Sequence, residues 1–379
     1  MAINKQPNGK WRHDYRVDGK RRYKQFRTKA EAQAHKVEIE AAKAGGKLVD
    51  TRVGGKIRFH DLYLEWIDRI ERVGAKGQRP TSPVTVAGYR QIYQKHMRPH
   101  LEYRTLGTIT LPVVDEWLAS FATDDARQRA YRQLGRILQF AVDRGYMASN
   151  PARNATINNV PTPAPARQPA ALTATQLRAL ADEAALGGRY EGQSHEAYRL
   201  LVLFAGTTGL RWGEIAGLKK EALTFGDKPE VVVRTTLVAV GGRLEFRDTT
   251  KGRKPRTVPI PGFVASDLEE YVKTVPAGHL VFTSPVGAEL RSSNFSRRVF
   301  KPAIRRCMES DPAFPEMVFH DLRRTAVTLN ISTGANVKVV QQLAGHSSAK
   351  TTLDVYAQLV PDDAHDSAKA VDALLRREA

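Results

Sequence analysis

The chain has 379 residues, with 59 lysines and arginines against 40 aspartates and glutamates, a formal net charge of +19. This length points to two or three domains, and 41% hydrophobic residues argue against a largely disordered chain. The single cysteine, Cys307, excludes an internal disulfide and a cysteine-rich zinc site, and no run approaches the roughly 18 apolar residues of a membrane span. With a polar, basic start in place of an apolar leader, the chain reads as soluble and cytoplasmic, with no membrane partner. The excess positive charge implies a polyanionic partner, most simply nucleic acid.

Residues 1–56 hold 15 basic and 6 acidic side chains, almost half of the excess charge. Residues 10–17 alternate as a strand, Asp18-Gly19 supplies a tight turn, and residues 20–27 return as a second strand. Thr28 and Glu31 form a capping box that opens a helix ending near Gly45-Gly46. The head is therefore a small sheet backed by one helix. A two-stranded ribbon can enter a major groove, which makes Arg12, Arg16, Arg22 and Lys24 candidates for its DNA-facing side.

A joint near residues 51–56 leads to a helical segment, residues 57–150. Leu62, Trp66 and Ile70 recur at steps of four, and three further helices are expected, one from Ser82 or Thr85, then residues 111–121 and 124–145. Four helices in this length make a small bundle whose aromatic residues fill its core. Residues 151–170 are rich in alternating alanine and proline, which form an extended spacer.

Residues 171–379 form a third segment. Two helices (residues 172–185 and 198–207) precede the run Thr208-Gly209-Leu210-Arg211-Trp212-Gly213-Glu214. Strands are expected at residues 231–238, 243–248 and 257–260, with Lys251 on a turn between two of them, and helices thereafter. His320 and Arg323 stand three apart on one helix, His346 follows Gly345, and Tyr356 lies ten residues further on. Singly, each has an ordinary structural explanation. Their order in a basic protein, after a proline-rich spacer, is what points to chemistry.

In those four stretches the chain resembles the tyrosine recombinase family, specifically the phage-type integrases. The resemblance implies a multidomain, mainly α fold with small β-sheets. Its parts would be an arm-type DNA-binding domain of sheet plus helix (1–56), a helical core-site-binding bundle (57–150), and a mixed α+β catalytic domain (171–379). It implies that Tyr356 attacks a DNA phosphodiester to form a 3′-phosphotyrosine. Arg211 and Arg323 would clamp the non-bridging oxygens, and Lys251 would protonate the departing 5′-oxygen. His320 would help deprotonate Tyr356, His346 would hydrogen-bond the phosphate, and Glu214 would orient the site. Two planar, permanently charged guanidiniums suit an anionic transition state. With them and a lysine acid, no metal, ATP or other cofactor is expected.

Lys254 competes with Lys251 for the role of acid. The resemblance also implies double-stranded DNA partners with core-type and arm-type sites, a homotetramer on DNA, a host DNA-bending protein and a directionality factor. A tail helix over residues 363–377 would dock on a neighbouring protomer. The competing readings are a resolvase or conjugative-transposon recombinase, a non-catalytic DNA-binding regulator and a type IB topoisomerase.

Overall fold

The structure is a computed structural model that describes residues 2–17, 20–44, 54–74, 77, 79–153, 169–187, 195–248, 255–345, 353 and 376. The chain divides into two compact units, Met1–Ala166 and Arg167–Ala379.

The first unit opens with three antiparallel strands in the order β1 (Ile3–Lys5), β2 (Trp11–Val17), β3 (Lys20–Phe26). Val17 pairs with Lys20, the register that a two-residue connection imposes; Asp18-Gly19 itself lies outside the described residues. Strand β1 is not among the expected elements, because three residues are too few to show an alternation. Helix α1 (Lys29–Ala44) starts at the expected capping box: Glu31 N–H donates to Thr28 Oγ1 at 3.2 Å, and Thr28 N–H to Glu31 Oε2 at 3.3 Å. Gly45-Gly46 lies outside the described residues. α1 covers the sheet face that carries His13 and Tyr15, where His13 Nδ1 stands 3.0 Å from His35 Nδ1.

The four bundle helices are α2 (Phe59–Arg72), α3 (Pro83–Ile92), α4 (Leu111–Ala119) and α5 (Asp124–Asp143). Ser82 caps α3, and a π turn at Tyr93–Met97 carries its direction on to Leu101, further than the sequence pattern showed. Tyr63, Trp66 and Tyr93 are buried, and the rings of Tyr63 and Tyr93 stack 3.6 Å apart, so these aromatics fill the core. Most of the expected spacer lies outside the described residues.

In the second unit, α6 (Ala174–Ala185) has a reciprocal capping box from Thr173 and Gln176, both bonds 3.2 Å. Helix α7 (Glu196–Thr208) is apolar on nearly every side because it forms the centre of this unit's core. A short helix α8 (Trp212–Ala216) follows. Strands β4 (Leu223–Thr224), β5 (Glu230–Val233) and β8 (Arg256–Pro259) make one antiparallel sheet, and β6 (Thr235–Val240) with β7 (Arg243–Asp248) makes a separate ribbon.

The single strand expected over residues 231–238 therefore breaks at Arg234. The ribbon leaves the sheet to lie against α8, where a Cβ on Gly213 would sit 2.6 Å from the Leu237 carbonyl oxygen. β7 pairs with β6 and β8 with β5, so these two strands belong to different sheets; Lys251, between them in sequence, lies outside the described residues. The unit continues with α9 (Gly262–Lys273), α10 (Lys301–Ser310), α11 (Asp321–Ser332) and α12 (Val337–Ala344).

Candidate active site

Of the expected site residues, the structure describes Arg211, Glu214, His320 and Arg323; Lys251, His346 and Tyr356 lie outside the described residues. Arg211 takes its place from the end of α7. Gly209 closes that helix at φ +66°, in the left-handed region that side chains rarely adopt, and a Cβ there would meet Ala326 Cβ at 3.3 Å. The turn into Arg211 thus packs directly on α11. From α11, buried Arg323 donates Nη1–H to the Gly209 carbonyl at 3.0 Å. Trp212, beside Arg211, meets Phe319 edge-on with ring centroids 4.9 Å apart, and Phe319 precedes His320. A glycine turn and one aromatic contact therefore bring Arg211, His320 and Arg323 together from distant parts of the chain.

His320 keeps an accessible edge at the start of α11. Its pKa lies below the ordinary imidazole value, first through loss of hydration and then through the positive charges of Arg323 and Arg211, with Asp321 opposing. The neutral imidazole, the form that accepts a proton, is therefore favoured near neutrality.

Glu214 is buried, with a side chain only 5% exposed. Its carboxylate accepts four hydrogen bonds. The backbone N–H of Arg211 donates to Oε2 at 2.8 Å and Arg211 Nη1 to Oε1 at 3.2 Å. Arg256 Nη1 and Nη2 donate to Oε1 and Oε2 at 2.9 and 2.8 Å. Burial favours the protonated acid, but the bonds and charges of Arg256, then those of Arg211, hold the carboxyl below the usual range. Arg211 and Glu214 thus form an ion pair within one turn of α8.

Arg256 was legible in the sequence only as a basic neighbour of Lys251. It occupies β8 and shares a strand face with buried Val258, two residues on. The pattern Arg-Thr-Val-Pro already implies an inward-facing arginine, and a buried glutamate elsewhere supplies the partner.

In the head, the four candidate DNA contacts divide between two faces. Arg12 and Arg16 lie on the open face of the sheet with Asp14, Arg21 and Tyr23. Arg12 bonds Asp14 at 2.8 Å and lies 3.9 Å over the Tyr23 ring. Arg22 and Lys24 pair with Tyr15 and His13, on the face that carries α1. The register sets Arg16 opposite Arg21, so Arg21 shares the open face with Arg12 and Arg16, and the four candidates do not lie on one face. In the bundle, a cleft of about 410 Å³ gathers Arg69, Arg136, Arg144 and Arg153 around Trp66, Tyr89 and Phe140. Among the described residues, no group of three His, Cys, Asp or Glu side chains is placed to hold a metal ion, and no helix is long and apolar enough to cross a membrane.

Comparison with known proteins gives a consistent result. The model of the phage integrase family matches residues 170–362. A tyrosine recombinase XerC-like protein of Caldanaerobacter subterraneus is 24% identical, with 94% of this chain and 93% of that protein covered. Tyrosine recombinase XerC of Mycobacterium bovis is 31% identical over 65% of this chain and 78% of its own length. Among solved structures, the Tn1549 transposon integrase in complex with a circular intermediate DNA has a TM-score of 0.64 at 17% identity, covering 83% of this chain and 99% of that one. A lambda integrase dimer bound to a core site has a TM-score of 0.54 at 18% identity, covering 93% and 94%.

Proposed function

Because the chain belongs to the phage integrase family of tyrosine recombinases, we propose that it integrates and excises a phage or other mobile genome at specific DNA sites through a covalent phosphotyrosine link. The convergence of Arg211, His320 and Arg323 on one edge of the second unit carries this reading. In the proposed reaction the Tyr356 oxygen attacks phosphorus and the bond to the 5′-oxygen breaks. The phenolic proton passes to neutral His320, and Lys251 supplies a proton to the leaving oxygen. Arg211 and Arg323 stabilise the charge that develops on the non-bridging oxygens, and His346 adds a hydrogen bond to the phosphate. The new phosphotyrosine retains the bond energy, so a second strand's 5′-hydroxyl can reverse the step.

Two other tyrosines of the second unit support Tyr356 as the nucleophile. Burial pushes the phenols of Tyr198 and Tyr271 above their ordinary pKa, and Tyr271 donates its hydroxyl to the Val281 carbonyl. Both belong to the core.

The further organisation is part of the proposal: an arm-site-binding head (1–56), a core-site-binding bundle (57–150) and a catalytic domain (171–379). The open sheet face with Arg12, Arg16 and Arg21, and the arginine cleft of the bundle, supply two basic surfaces for DNA. A lambda integrase tetramer has been solved bound to a Holliday junction, with a TM-score of 0.53. We extend that assembly to this chain, together with a host bending protein and a directionality factor.

A selection from random DNA tests this. The full chain is incubated with a pool of randomised nicked duplexes, the mixture is denatured, and DNA still attached to protein is recovered and sequenced. The expected result is one enriched sequence that is absent with Tyr356→Phe. DNA that is shifted but never attached would establish a regulator, and attachment without any enriched sequence a topoisomerase.

A further inference from the structure

We propose that Arg256 is a positioning residue for DNA cleavage: it fixes the Glu214 carboxylate and thereby sets where Arg211 presents its guanidinium. The proposal rests on the functional reading above and adds a residue to it.

The geometry shows which arginine holds Glu214 more firmly. Arg256 engages both carboxylate oxygens, at 2.9 and 2.8 Å, in the two-pronged arrangement that suits a planar guanidinium. The side-chain contact of Arg211 with the same carboxylate is longer, 3.2 Å. The Arg256 side chain is 18% exposed and that of Arg211 33%. Arg256 is thus the inner counter-ion and Arg211 the outer one. Remove the Arg256 fork, and one buried carboxylate faces one remaining guanidinium. The favoured response is for Glu214 to turn both oxygens onto Arg211 and draw it inward, away from a phosphate.

The same side chain reaches the end of α12. Arg256 Nε donates to the Leu343 carbonyl at 3.4 Å, and Arg211 Nη2 donates to the Gly345 carbonyl at 3.3 Å. The last carbonyls of a helix lack partners within it and carry partial negative charge. Here two arginines from elsewhere in the unit supply those partners. Gly345 is closely fitted to this arrangement: its φ is +62°, and a Cβ there would lie 3.1–3.3 Å from the Arg256 guanidinium end. Arg256 follows Lys251 by five residues, and Gly345 immediately precedes His346. One guanidinium therefore ties together the strand leading from the lysine, the glutamate behind Arg211 and the helix leading to His346. A lysine could supply the charge but not the fork.

The test compares two substrates of the sequence recovered by adduct capture, one with an ordinary scissile phosphodiester and one with a methylphosphonate. The second is neutral and gives an arginine clamp little charge to stabilise. Wild type, Arg256→Met and Arg256→Lys are assayed for the rate of covalent adduct formation, with DNA affinity measured separately. Misplacing a catalytic group costs on the order of 100-fold in rate. Arg256→Met is expected to be slowed about that much on the phosphodiester, with affinity within threefold of wild type, and to lose at least tenfold of its deficit on the methylphosphonate. Arg256→Lys is expected to be slowed about tenfold on the phosphodiester and to match wild type within about threefold on the methylphosphonate. It carries the comparison alone if Arg256→Met gives no cooperative melt. A deficit of the same size on both substrates would place the fault in folding or in the lysine, and overturn the proposal. So would a variant as fast as wild type on the phosphodiester. Failure of the broader functional reading is distinguished by the wild type, which would then form no adduct at all.

Discussion

Replacing Glu214 by glutamine probes the buried charge at the centre of this arrangement. The carboxylate accepts four hydrogen bonds, two from Arg211 and two from Arg256. A glutamine amide has one acceptor oxygen, so about two of the four are lost and its NH₂ faces a donor. Bonds to a charged group contribute about 1.5–3 kcal/mol each. The Arg211 contact is long and its side chain is a third exposed (3.2 Å, 33%), so we take the low end, a total near 3 kcal/mol. This agrees with the roughly 3–5 kcal/mol lost when one partner of a buried ion pair is removed. In a domain of this size each kcal/mol moves the melting temperature by about 2–4 °C, so the second unit of Glu214→Gln is expected to melt about 6–12 °C below wild type at pH 7. Calorimetry on the full chain measures this. The folded carboxyl has a depressed pKa, so its contribution is complete above the unfolded value of about 4.3 and is lost as pH falls through the folded one. The difference between the two proteins should therefore shrink in acid. A variant that melts within about 2 °C of wild type at pH 7 would refute the reasoning.

The lowered pKa of His320 predicts that the acid limb of the cleavage profile falls below the ordinary imidazole value of about 6.5. Its neutral form is favoured by folding, so its contribution to stability is present above that value and lost as pH drops through the folded pKa. Histidine ring resonances followed by NMR should show this, with a rise in Arg211→Met; a His320 pKa at or above 6.5 in wild type would contradict it. The head register predicts that Arg16→Glu and Arg21→Glu weaken binding to arm-type DNA by tenfold or more, while Arg22→Glu and Lys24→Glu change it by less than about threefold. Equal losses from all four would place the contacts elsewhere. If Lys251 is the acid, Lys251→Ala should be restored to near wild-type cleavage by a 5′-bridging phosphorothiolate, whose sulfur leaves without a proton; rescue of Lys254→Ala instead would move the role. Deleting residues 362–379 should leave DNA binding intact and lower recombination at least tenfold, and unchanged recombination would exclude tail exchange between protomers.

The order of Arg211, Lys251, His320, Arg323, His346 and Tyr356 carried the resemblance that indicated the family, because that order is visible before any packing is. Local rules also sufficed where the interaction is local: the Thr28–Glu31 and Thr173–Gln176 capping boxes join residues three apart, and the aromatic stripe of α2 declares its buried side by period alone. Facing across the head ribbon is nearly local too. It needed only the turn register to place Arg22 and Lys24 on the helix side. The break at Arg234 and the role of Arg256 were different. The ribbon leaves its sheet because Gly213 admits the backbone of Leu237, and Arg256 acquires its partner because β8 passes beside α8. Both depend on which distant backbone approaches a given residue. A sequence shows that a strand arginine points inward or that a glycine leaves space, since those are properties of one residue and its neighbours. Which carboxylate meets the arginine, and which strand fills the space, is decided by long-range packing, and only the tertiary structure holds that information.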